Sequence, residues 1–466
     1  MEKVFQEVGT LDRRCYEQFE LSEDILMEHA ASSMFDIIQN RFEQNGSVLI
    51  VAGVGNNGAD GIALARLLEK KFDVTLFLPF GTKSDMGKLQ LRRASNIGCE
   101  PSISYEILLK KYDVVVDCLF GSGLSRELDE SSQKIIDIVN KIEGFKIACD
   151  IPSGIDINGN IKNNCFNAQL TITMGALKRS LFTDEVKDFI GNIVVSDLGV
   201  QRELYEIDSD TYLLNYDDMN LPFRNTQNTH KGTFGHLAVI AGSKAGASIL
   251  CAKAGFVFGA GLVSVCDHQN ITLPSHIMQT HKLPHNTTAI AIGMGLGNYD
   301  KKEISQILEN DIPKIIDADL FYEVEILKVL NKSNIVLTPH PKEFVSLLSI
   351  CGIANIDIKE LQNNRFKYLE IFCTKYPNIV LLLKGANVLI GYDDNIYINS
   401  YGNSKLSFGG SGDVLGGLIG SLLAQGYSTL DAVVTASLAH TKSASLFEHN
   451  NYAMTPDDLI EGIKKI

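Results

Sequence analysis

Phe408-Gly-Gly-Ser-Gly-Asp-Val-Leu-Gly-Gly-Leu-Ile-Gly420 is the stretch on which the reading of this 466-residue chain turns. Gly409, Gly410, Gly412 and Gly416 surround one carboxylate, Asp413. An apolar run with helical spacing comes next at Val414, Leu418 and Leu422. Glycines let a backbone turn tightly and come close to a ligand. The free N–H groups of a helix's first turn make an anion hole, and the helix dipole adds to it. A carboxylate there does not suit a loop that only holds phosphate. It suits a base that takes a proton from a hydroxyl while the N–H groups hold the phosphoryl group under attack. The plainer alternative is an N-capping Asp after a flexible turn; the strand order around the loop favours the base.

That order is regular. Upstream, strand-like runs end in polar residues one after another: His236 to Gly242, then the loop Ser243-Lys-Ala-Gly246-Ala247; Leu262 to Cys266; Ala289 to Gly293, then Met-Gly295-Leu-Gly297; Lys314-Ile-Ile-Asp317-Ala-Asp319; Asn334-Ile-Val-Leu-Thr338-Pro-His340-Pro-Lys-Glu343; and Asn378 to Leu383, then Lys384-Gly385-Ala386. A small-residue-rich helix is expected from Ser248 to Gly261, a further strand at Ile396 to Asn399, and closing helices at Leu430–Phe447 and Pro456–Lys465. In parallel α/β sheets the ligand crevice lies outside the carboxyl ends of the strands, where these residues gather. His340, fixed between two prolines at such an end, reads as either a cap or a ligand contact.

The first half repeats the theme. Ser22 to Phe42 reads as an amphipathic helix capped by Ser22, with Leu26, Ala30, Met34, Ile37 and Ile38 on one stripe. The strand Ser47–Ala52 leads into Gly53-Val-Gly55-Asn-Asn-Gly58-Ala-Asp60-Gly61, then a helix Ile62–Lys70 and a strand Val74–Leu78. The loop fits G-x-G-x-x-G, but its second strand ends Leu-Phe-Leu-Pro79 with no ribose-gripping carboxylate, so ordinary dinucleotide binding is disfavoured. Asp113-Val-Val-Val-Asp117 ends near Gly121-Ser-Gly123, and Lys146-Ile-Ala-Cys-Asp150 runs into Ile-Pro-Ser153-Gly. Three strand ends thus bring Asn57, Asp60, Asp117, Asp150 and Ser153 to one edge. Carboxylate, amide and hydroxyl oxygens suit a hard alkali or alkaline-earth ion, and a buried carboxylate there is a candidate proton shuttle. Further strand-like runs lie near Leu170–Met174 and Asn192–Val195.

Composition sets the bounds. Forty-two basic against 56 acidic side chains leave a net charge of −14, which argues against nucleic-acid or anionic-membrane partners. Nine scattered cysteines without a C-x-x-C pair read as buried thiols in a reducing cytoplasm. No signal peptide or membrane-length apolar run is visible. Polar, aperiodic residues 203–230 place a boundary that divides the chain into 1–217 and 218–466.

The motifs together resemble a known family. Gly55-Asn-Asn-Gly-Ala-Asp-Gly61, Val116-Asp-Cys-Leu-Phe-Gly-Ser-Gly123 and Asp150-Ile-Pro-Ser-Gly-Ile-Asp156 resemble the signatures of NAD(P)H-hydrate epimerase domains. Gly242-Ser, Met294-Gly-Leu-Gly297, Asp317-Ala-Asp319, Thr338-Pro-His-Pro-Lys-Glu343, Lys384-Gly-Ala386 and Gly409-Gly-Ser-Gly-Asp-Val-Leu415 resemble those of nucleotide-dependent NAD(P)H-hydrate dehydratases, which have a ribokinase-like fold. The order is that of the fused bifunctional repair enzymes. The resemblance implies an α/β protein: a Rossmann-like three-layer domain, then a ribokinase-like α/β domain. It implies that the first interconverts the R and S epimers of NADHX or NADPHX, hydrated at C6 of the nicotinamide ring. The second would dehydrate the S form while ADP, or ATP, is consumed.

The same resemblance assigns residues. Asn57, Asp117 and Ser153 would hold K⁺. Asn56, Asn57, Gly58, Ala59, Asp60, Gly121, Ser122, Gly123, Leu124, Ser125, Arg126, Glu127 and Asp150 would touch the hydrate, with Asp150 as general acid/base. In the second domain Asp413 would be the base, and Ala247, Gly295, Gly297 and His340 would hold the hydrate. The 410–412 N–H groups would steady the phosphoryl charge, and Lys384, Gly385, Ala386, Asn387, Val388 and Gly412 would hold the nucleotide. Glu343 and Asp319 would help position Mg²⁺. Ala59 stands where the family usually has Gly, and Val388 where it usually has Thr. A homo-oligomer in the cytoplasm is expected. The competing readings are a ribokinase-like small-molecule kinase with a non-catalytic N-terminal ligand-binding domain, and a first half that serves only as a binding module.

Overall fold

Long runs of β-branched and leucine residues, closed by glycine or a carboxylate, dictate most of what the chain builds. The structure is a computed structural model that describes residues 1–269 and 271–466. It divides into two compact units, Lys3–Ser209 and Asp210–Ile466, the latter including Met1–Glu2.

In the first unit the elements are β1 (Glu2–Phe5), α1 (Gly9–Gln18), α2 (Glu23–Arg41), β2 (Ser47–Ala52), α3 (Asn56–Leu68), β3 (Asp73–Phe77), α4 (Asp85–Asn96), β4 (Val114–Cys118), α5 (Glu130–Lys141), β5 (Phe145–Cys149), β6 (Leu170–Met174), β7 (Leu177–Lys178), β8 (Asn192–Ser196) and α6 (Arg202–Tyr205). Six strands form a sheet in the order β3-β2-β4-β5-β6-β8, and every pair is parallel. β2 and β4 are apolar along most of their length because both faces are covered, as parallel sheets require. β1 pairs with β7 in parallel, with Phe5 opposite Lys178.

α2 keeps its expected bounds: the Ser22 side chain accepts from Ile25 N, and Leu26, Ala30, Met34 and Ile38 are buried. Such a cap contributes about 1 kcal/mol, and each buried Leu or Ile roughly 1.5–3 kcal/mol. One expectation fails here, and a like one fails in the second unit, where the helix expected over Ser248–Gly261 runs from Ala245 to Val257. The segment 56–61 is not a loop before a helix at Ile62; it is the first turns of α3, with Gly55 as N-cap. Glycine makes this possible: a Cβ at Gly58 would lie 1.9 Å from Gly53 O. Ala59 sits fully buried in that helix, where an Ala is at home and stiffens no loop.

The second unit contains β9 (Thr211–Leu213), β10 (His236–Ile240), α7 (Ala245–Val257), β11 (Leu262–Cys266), β12 (Met278–Thr280), β13 (Ala289–Ile292), α8 (Lys301–Glu309), β14 (Lys314–Ile316), β15 (Ile335–Leu337), α9 (Pro341–Ile350), α10 (Ile358–Asn363), α11 (Arg365–Lys375), β16 (Ile379–Leu383), β17 (Val388–Tyr392), β18 (Asn395–Asn399), α12 (Ser411–Ala424), α13 (Thr429–Ser445) and α14 (Pro456–Ile463). The strand order is β12-β11-β10-β13-β14-β15-β16-β17-β18-β9. The run β12 to β16 is parallel, β17 lies antiparallel between its neighbours, and β9 pairs in parallel with β18. Of the hairpin β17–β18, only the second strand is legible in the sequence. α12 lies against α7 at backbone distance, since a Cβ at Gly417 would stand 2.2 Å from Cys251 O. Gly416 likewise abuts the Met294 side chain, so part of the glycine excess in 408–420 serves packing. All nine cysteines are buried and free. Among the described residues, no helix is long and apolar enough to cross a membrane.

Candidate active sites

In the first unit, β2, β4 and β5 all stop at one edge, and each delivers a polar residue there. α3 starts right after β2 and carries Asn56, Asn57 and Asp60 on its opening turns. β4 carries Asp117 near its end, and this carboxylate is buried. Its Oδ1 accepts from Leu119 N (3.1 Å) and from Ser153 Oγ (2.7 Å), and its Oδ2 from Ser153 N (2.8 Å). Ser153 Oγ in turn accepts from Phe120 N at 2.7 Å. Burial pushes Asp117 up to about 6, against those hydrogen bonds. Next to Phe120, a Cβ on Gly121 would meet the Asn57 side chain at 3.2–3.3 Å. Asn57 Oδ1 and Nδ2 are buried without any hydrogen-bond partner. Asn57, Asp117 and Ser153 therefore converge on the Phe120–Gly121 turn, with an orphaned amide oxygen among them.

A cavity of about 530 Å³ opens over this edge, lined by Val8, Asp12, Val54–Asn57, Asp60, Leu119–Arg126, Asp150 and Met174. Of the expected hydrate contacts, Asn56, Asn57, Asp60, Gly121, Ser122, Gly123, Leu124, Ser125, Arg126 and Asp150 line it. Gly58 and Ala59 lie outside the lining, Ala59 on the buried side of α3, and so does the exposed Glu127. Asp150 comes directly after β5 with φ +68°, a left-handed conformation unusual for Asp. Its Oδ1 accepts from Met174 N (3.2 Å) and its Oδ2 from Ser122 N (3.3 Å). Lys178 Nζ pairs with Oδ1 at 2.7 Å. Burial raises Asp150, but the Lys178 charge and these hydrogen bonds outweigh it, and the net shift is downward.

Sequence reasoning missed two residues here. Asp12 on α1 lines the cavity and accepts from Tyr205 Oη at 2.7 Å. Lys178 is fully buried and also donates to Thr173 Oγ1 and Met174 O. In the sequence it is one of two adjacent cations, Lys178 and Arg179, four residues past β6, and no motif marks it.

The second unit builds its site around α12. Gly410 caps the helix in a left-handed conformation (φ +101°). Asp413 sits half-buried in the first turn and makes no hydrogen bond or ion pair within the described residues. Lys384, just past β16, pairs with Asp317, just past β14, at 2.6 Å. A Cβ at Gly412 would lie 3.3 Å from Lys384 Nζ and 3.8 Å from Asp317 Oδ2, so this pair borders the helix's N-terminal turn. Burial and the Asp317 charge push Asp413 up to about 6, against Lys384. Ser411 is held from behind by His440, whose Nε2 is 3.0 Å from Ser411 O.

His340 proves to be a helix cap: its Nδ1 accepts from Lys342 N (3.1 Å) and Glu343 N (3.3 Å). Glu343 answers by accepting from His340 N at 2.8 Å, and its second oxygen lies 3.1 Å from His340 Nε2. Its carboxyl is pushed up to about 7 by burial and by the Asp317 charge. His340 is lowered by burial and by the Lys384 charge, which disfavours the charged ring. Asp319 accepts from Gly297 N at 2.9 Å and fixes that turn. Gly295 and Gly297 have φ of +62° and +53°, and Gly295 faces Ala247. The segment Lys384–Asn387 is pinned by Arg365, a buried cation that carries no motif in the sequence and donates to the carbonyls of Leu383, Lys384 and Asn387. Val388 opens β17 opposite Asn399.

Among the described residues no three His, Cys, Asp or Glu side chains gather as a metal centre. One carboxylate with an amide and a hydroxyl suits a monovalent ion in the first unit. In the second, a divalent ion would arrive with nucleotide phosphates rather than in a protein cage.

Comparison with known proteins gives the same division. The family described as YjeF-related protein N-terminus matches residues 23–180, and the family NAD(P)H-hydrate dehydratase matches residues 237–465. A bifunctional NAD(P)H-hydrate repair enzyme of Helicobacter pylori is 43% identical, covering 100% of both chains. Its counterpart in Coxiella burnetii is 33% identical and covers 91% of this chain and 90% of its own. Among solved structures, the ADP/ATP-dependent NAD(P)H-hydrate dehydratase from Bacillus subtilis co-crystallised with ATP/Mg²⁺ is 25% identical, covers 53% of this chain and 98% of its own, and superposes with a TM-score of 0.45. With both domains matched in order and identity running through the whole length, the chain belongs to the family of bifunctional NAD(P)H-hydrate repair enzymes.

Proposed function

We propose that the chain repairs hydrated NADH and NADPH. The first domain (1–217) epimerises the C6 hydroxyl and the second (218–466) removes it with consumption of ADP. The observation that carries the second step is an unpaired carboxyl, Asp413, in the first turn of a glycine-capped helix beside a Lys–Asp pair. Hydroxide is a poor leaving group. Asp413 takes the proton of the C6 hydroxyl, and the oxygen attacks the β-phosphorus of ADP, releasing AMP. The ring nitrogen's lone pair then breaks the C6–O bond and expels phosphate. Loss of a C5 proton restores the C5=C6 double bond. The N–H groups of residues 410–412 face the migrating phosphoryl charge. Lys384 and the loop to Val388 hold the nucleotide; Ala247, Gly295, Gly297 and His340 border the hydrate. Mg²⁺ neutralises phosphate charge in such transfers.

In the first domain, Asn57, Asp117 and Ser153 hold K⁺. The buried, partnerless Asn57 oxygen supports this, because a desolvated carbonyl oxygen without a donor is costly unless a cation meets it. Asp150 is the catalytic carboxylate beside the ring. Identity of 43% over the whole chain supports repair over the kinase reading. The test is recovery of reduced-nicotinamide absorbance from a mixture of both epimers, with K⁺, Mg²⁺ and either ADP or ATP. Complete recovery is expected; a stable phosphorylated product without recovered absorbance points to the kinase instead. Asp413→Ala should abolish recovery, and normal turnover in that variant removes the mechanism.

A further inference from the structure

Three carboxyl groups, Asp12, Asp60 and Asp150, line the 530 Å³ cavity, and one buried ammonium, Lys178, stands beside them. They cannot all be alike. Lys178 is committed to Asp150 at 2.7 Å and spends its other donors on Thr173 Oγ1 (2.8 Å) and Met174 O (3.0 Å). Asp150 is further held by two backbone N–H groups. Asp12 receives the Tyr205 hydroxyl. Asp60 makes no hydrogen bond or ion pair within the described residues, although it stands on α3 one turn beyond Asn56 and faces the same cavity.

The geometry points to Asp60 as the group that carries the proton in epimerisation, and to Lys178 as the positioning residue that keeps Asp150 an anion facing the ring. This rests on the epimerase reading above and divides the labour within it. The Asp60 carboxyl gives its proton to the C6 hydroxyl, the C6–O bond breaks, and water departs while the ring nitrogen's lone pair forms N1=C6. The ring is now a cation, and the Asp150 carboxylate is the charge that stabilises it. Water adds to the other face of C6, its proton returns to the Asp60 carboxylate, and the site ends as it began. No redox partner is required. Environments that push two carboxyl groups apart are how such roles are assigned. Asp60 is raised well above its ordinary value by burial and by the charges of Asp150, Asp12 and Glu23, whereas Asp150 is lowered by Lys178 against its burial. The titratable groups around Asp60 are Asp12 and Tyr16 on α1, Glu23 on α2, Cys118 on β4, and Cys149 and Asp150 at the end of β5.

The test uses the full chain with equal amounts of the two hydrates, ADP, Mg²⁺ and K⁺. The S form disappears first, through the dehydratase, and the R form only as fast as it epimerises. Asp60→Asn is expected to slow the second phase by about 10²–10⁴-fold, while a circular dichroism spectrum and melting curve matching wild type report that the first domain is folded and the first phase reports the same of the second. In the wild type the second phase should fall at high pH as Asp60 loses its proton and at low pH as Asp150 gains one. Lys178→Met should move that acid limb to higher pH, and Lys178→Arg should move it back. A second phase in Asp60→Asn within about threefold of wild type overturns the assignment. So does a wild-type second phase that stays flat with pH, a measurement that stands even if the variant does not fold. A Lys178→Met profile with an unmoved acid limb overturns the positioning role. A wild-type enzyme whose second phase is no faster than the uncatalysed one would instead remove the epimerase reading itself.

Discussion

The acid limb of the dehydratase reaction should lie where Asp413 titrates. Asp413 is pushed up to about 6, first by burial and next by the Asp317 carboxylate, with Lys384 pulling the other way. A base must be ionised to act. Roughly nine-tenths of it is ready at pH 7 and about one-tenth at pH 5, so kcat/KM for the S hydrate should fall about tenfold per pH unit below 6. The assay is the initial rate of absorbance recovery at fixed ADP and Mg²⁺, across about pH 4.5 to 8. A second group complicates the window: Glu343 is pushed up to about 7 and borders the same Asp317. Glu343→Gln separates the two, because it removes any limb near 7 and leaves the one near 6. Asp317→Asn takes away a charge that raises Asp413, so it should move the remaining limb downward. A profile flat down to about pH 4.5, where an ordinary Asp is still mostly ionised, would refute the claim that the desolvated Asp413 is the base. So would a Glu343→Gln enzyme whose limb near 6 has vanished.

The same geometry sets other outcomes. Asp117, raised to about 6 from an ordinary 3.8, costs folding about 3 kcal/mol when ionised; this penalty is fully present above about pH 6 and fades as pH falls toward 3.8. A bound cation relieves it, so K⁺ should raise the melting temperature more at pH 8 than at pH 5, and an equal rise at both would count against the site. Arg365→Met removes the guanidinium donors to three carbonyls of the Leu383–Asn387 turn, and a hydrogen bond from a charged donor is worth about 1.5–3 kcal/mol. The KM for ADP should therefore rise at least about tenfold, and an unchanged KM would detach that turn from nucleotide binding. Gly58→Ala places a Cβ 1.9 Å from a backbone oxygen, so the epimerase domain should lose its fold, as circular dichroism and the R-hydrate phase would report.

Strands are more legible in the sequence than the turns that close them. Parallel strands buried on both faces are continuous apolar runs, so β2, β4, β11 and β16 can be placed within a residue or so. The residues just past such strands, Asp150, Asp317 and Lys384, are therefore visible as a class. The 56–61 segment misleads because glycine and asparagine signal a turn locally; only the approach of Gly58 to Gly53 O shows why a helix starts there. β17 escapes notice because Gly391 interrupts it, packed against Cys373 and Leu369. His340 reads as cap or contact alike from its two prolines, and the fold adds the cap. Asp12 and Lys178 carry no motif, since their significance comes from elements brought together by the fold, α1 and β7 at the mouth of a sheet they do not join.

The two sites solve one electrostatic problem in the same way. Each has a lysine locked to one carboxylate, Lys178 to Asp150 at 2.7 Å and Lys384 to Asp317 at 2.6 Å. Each has a second carboxyl with no partner among the described residues, Asp60 in one and Asp413 in the other, raised by its own burial and by the paired neighbour's charge. The lysine pairs with one acid, and the charge of that acid raises the proton affinity of the other. The difference in chemistry depends on how far that rise goes. Asp60 is raised well above its ordinary value by burial and by the charges of Asp150, Asp12 and Glu23, the direction a proton donor needs. Asp413, half-exposed at a helix N-terminus, is raised only to about 6 and is free to accept one. On the proposed reading, donor and acceptor roles at the same C6 hydroxyl follow from the surroundings of the second carboxyl at two otherwise similar Lys–Asp pairs. Exchanging burial, by opening the Asp60 pocket with Val8→Ala or Met174→Ala, should lower the alkaline limb of epimerisation and leave the dehydratase profile where it is.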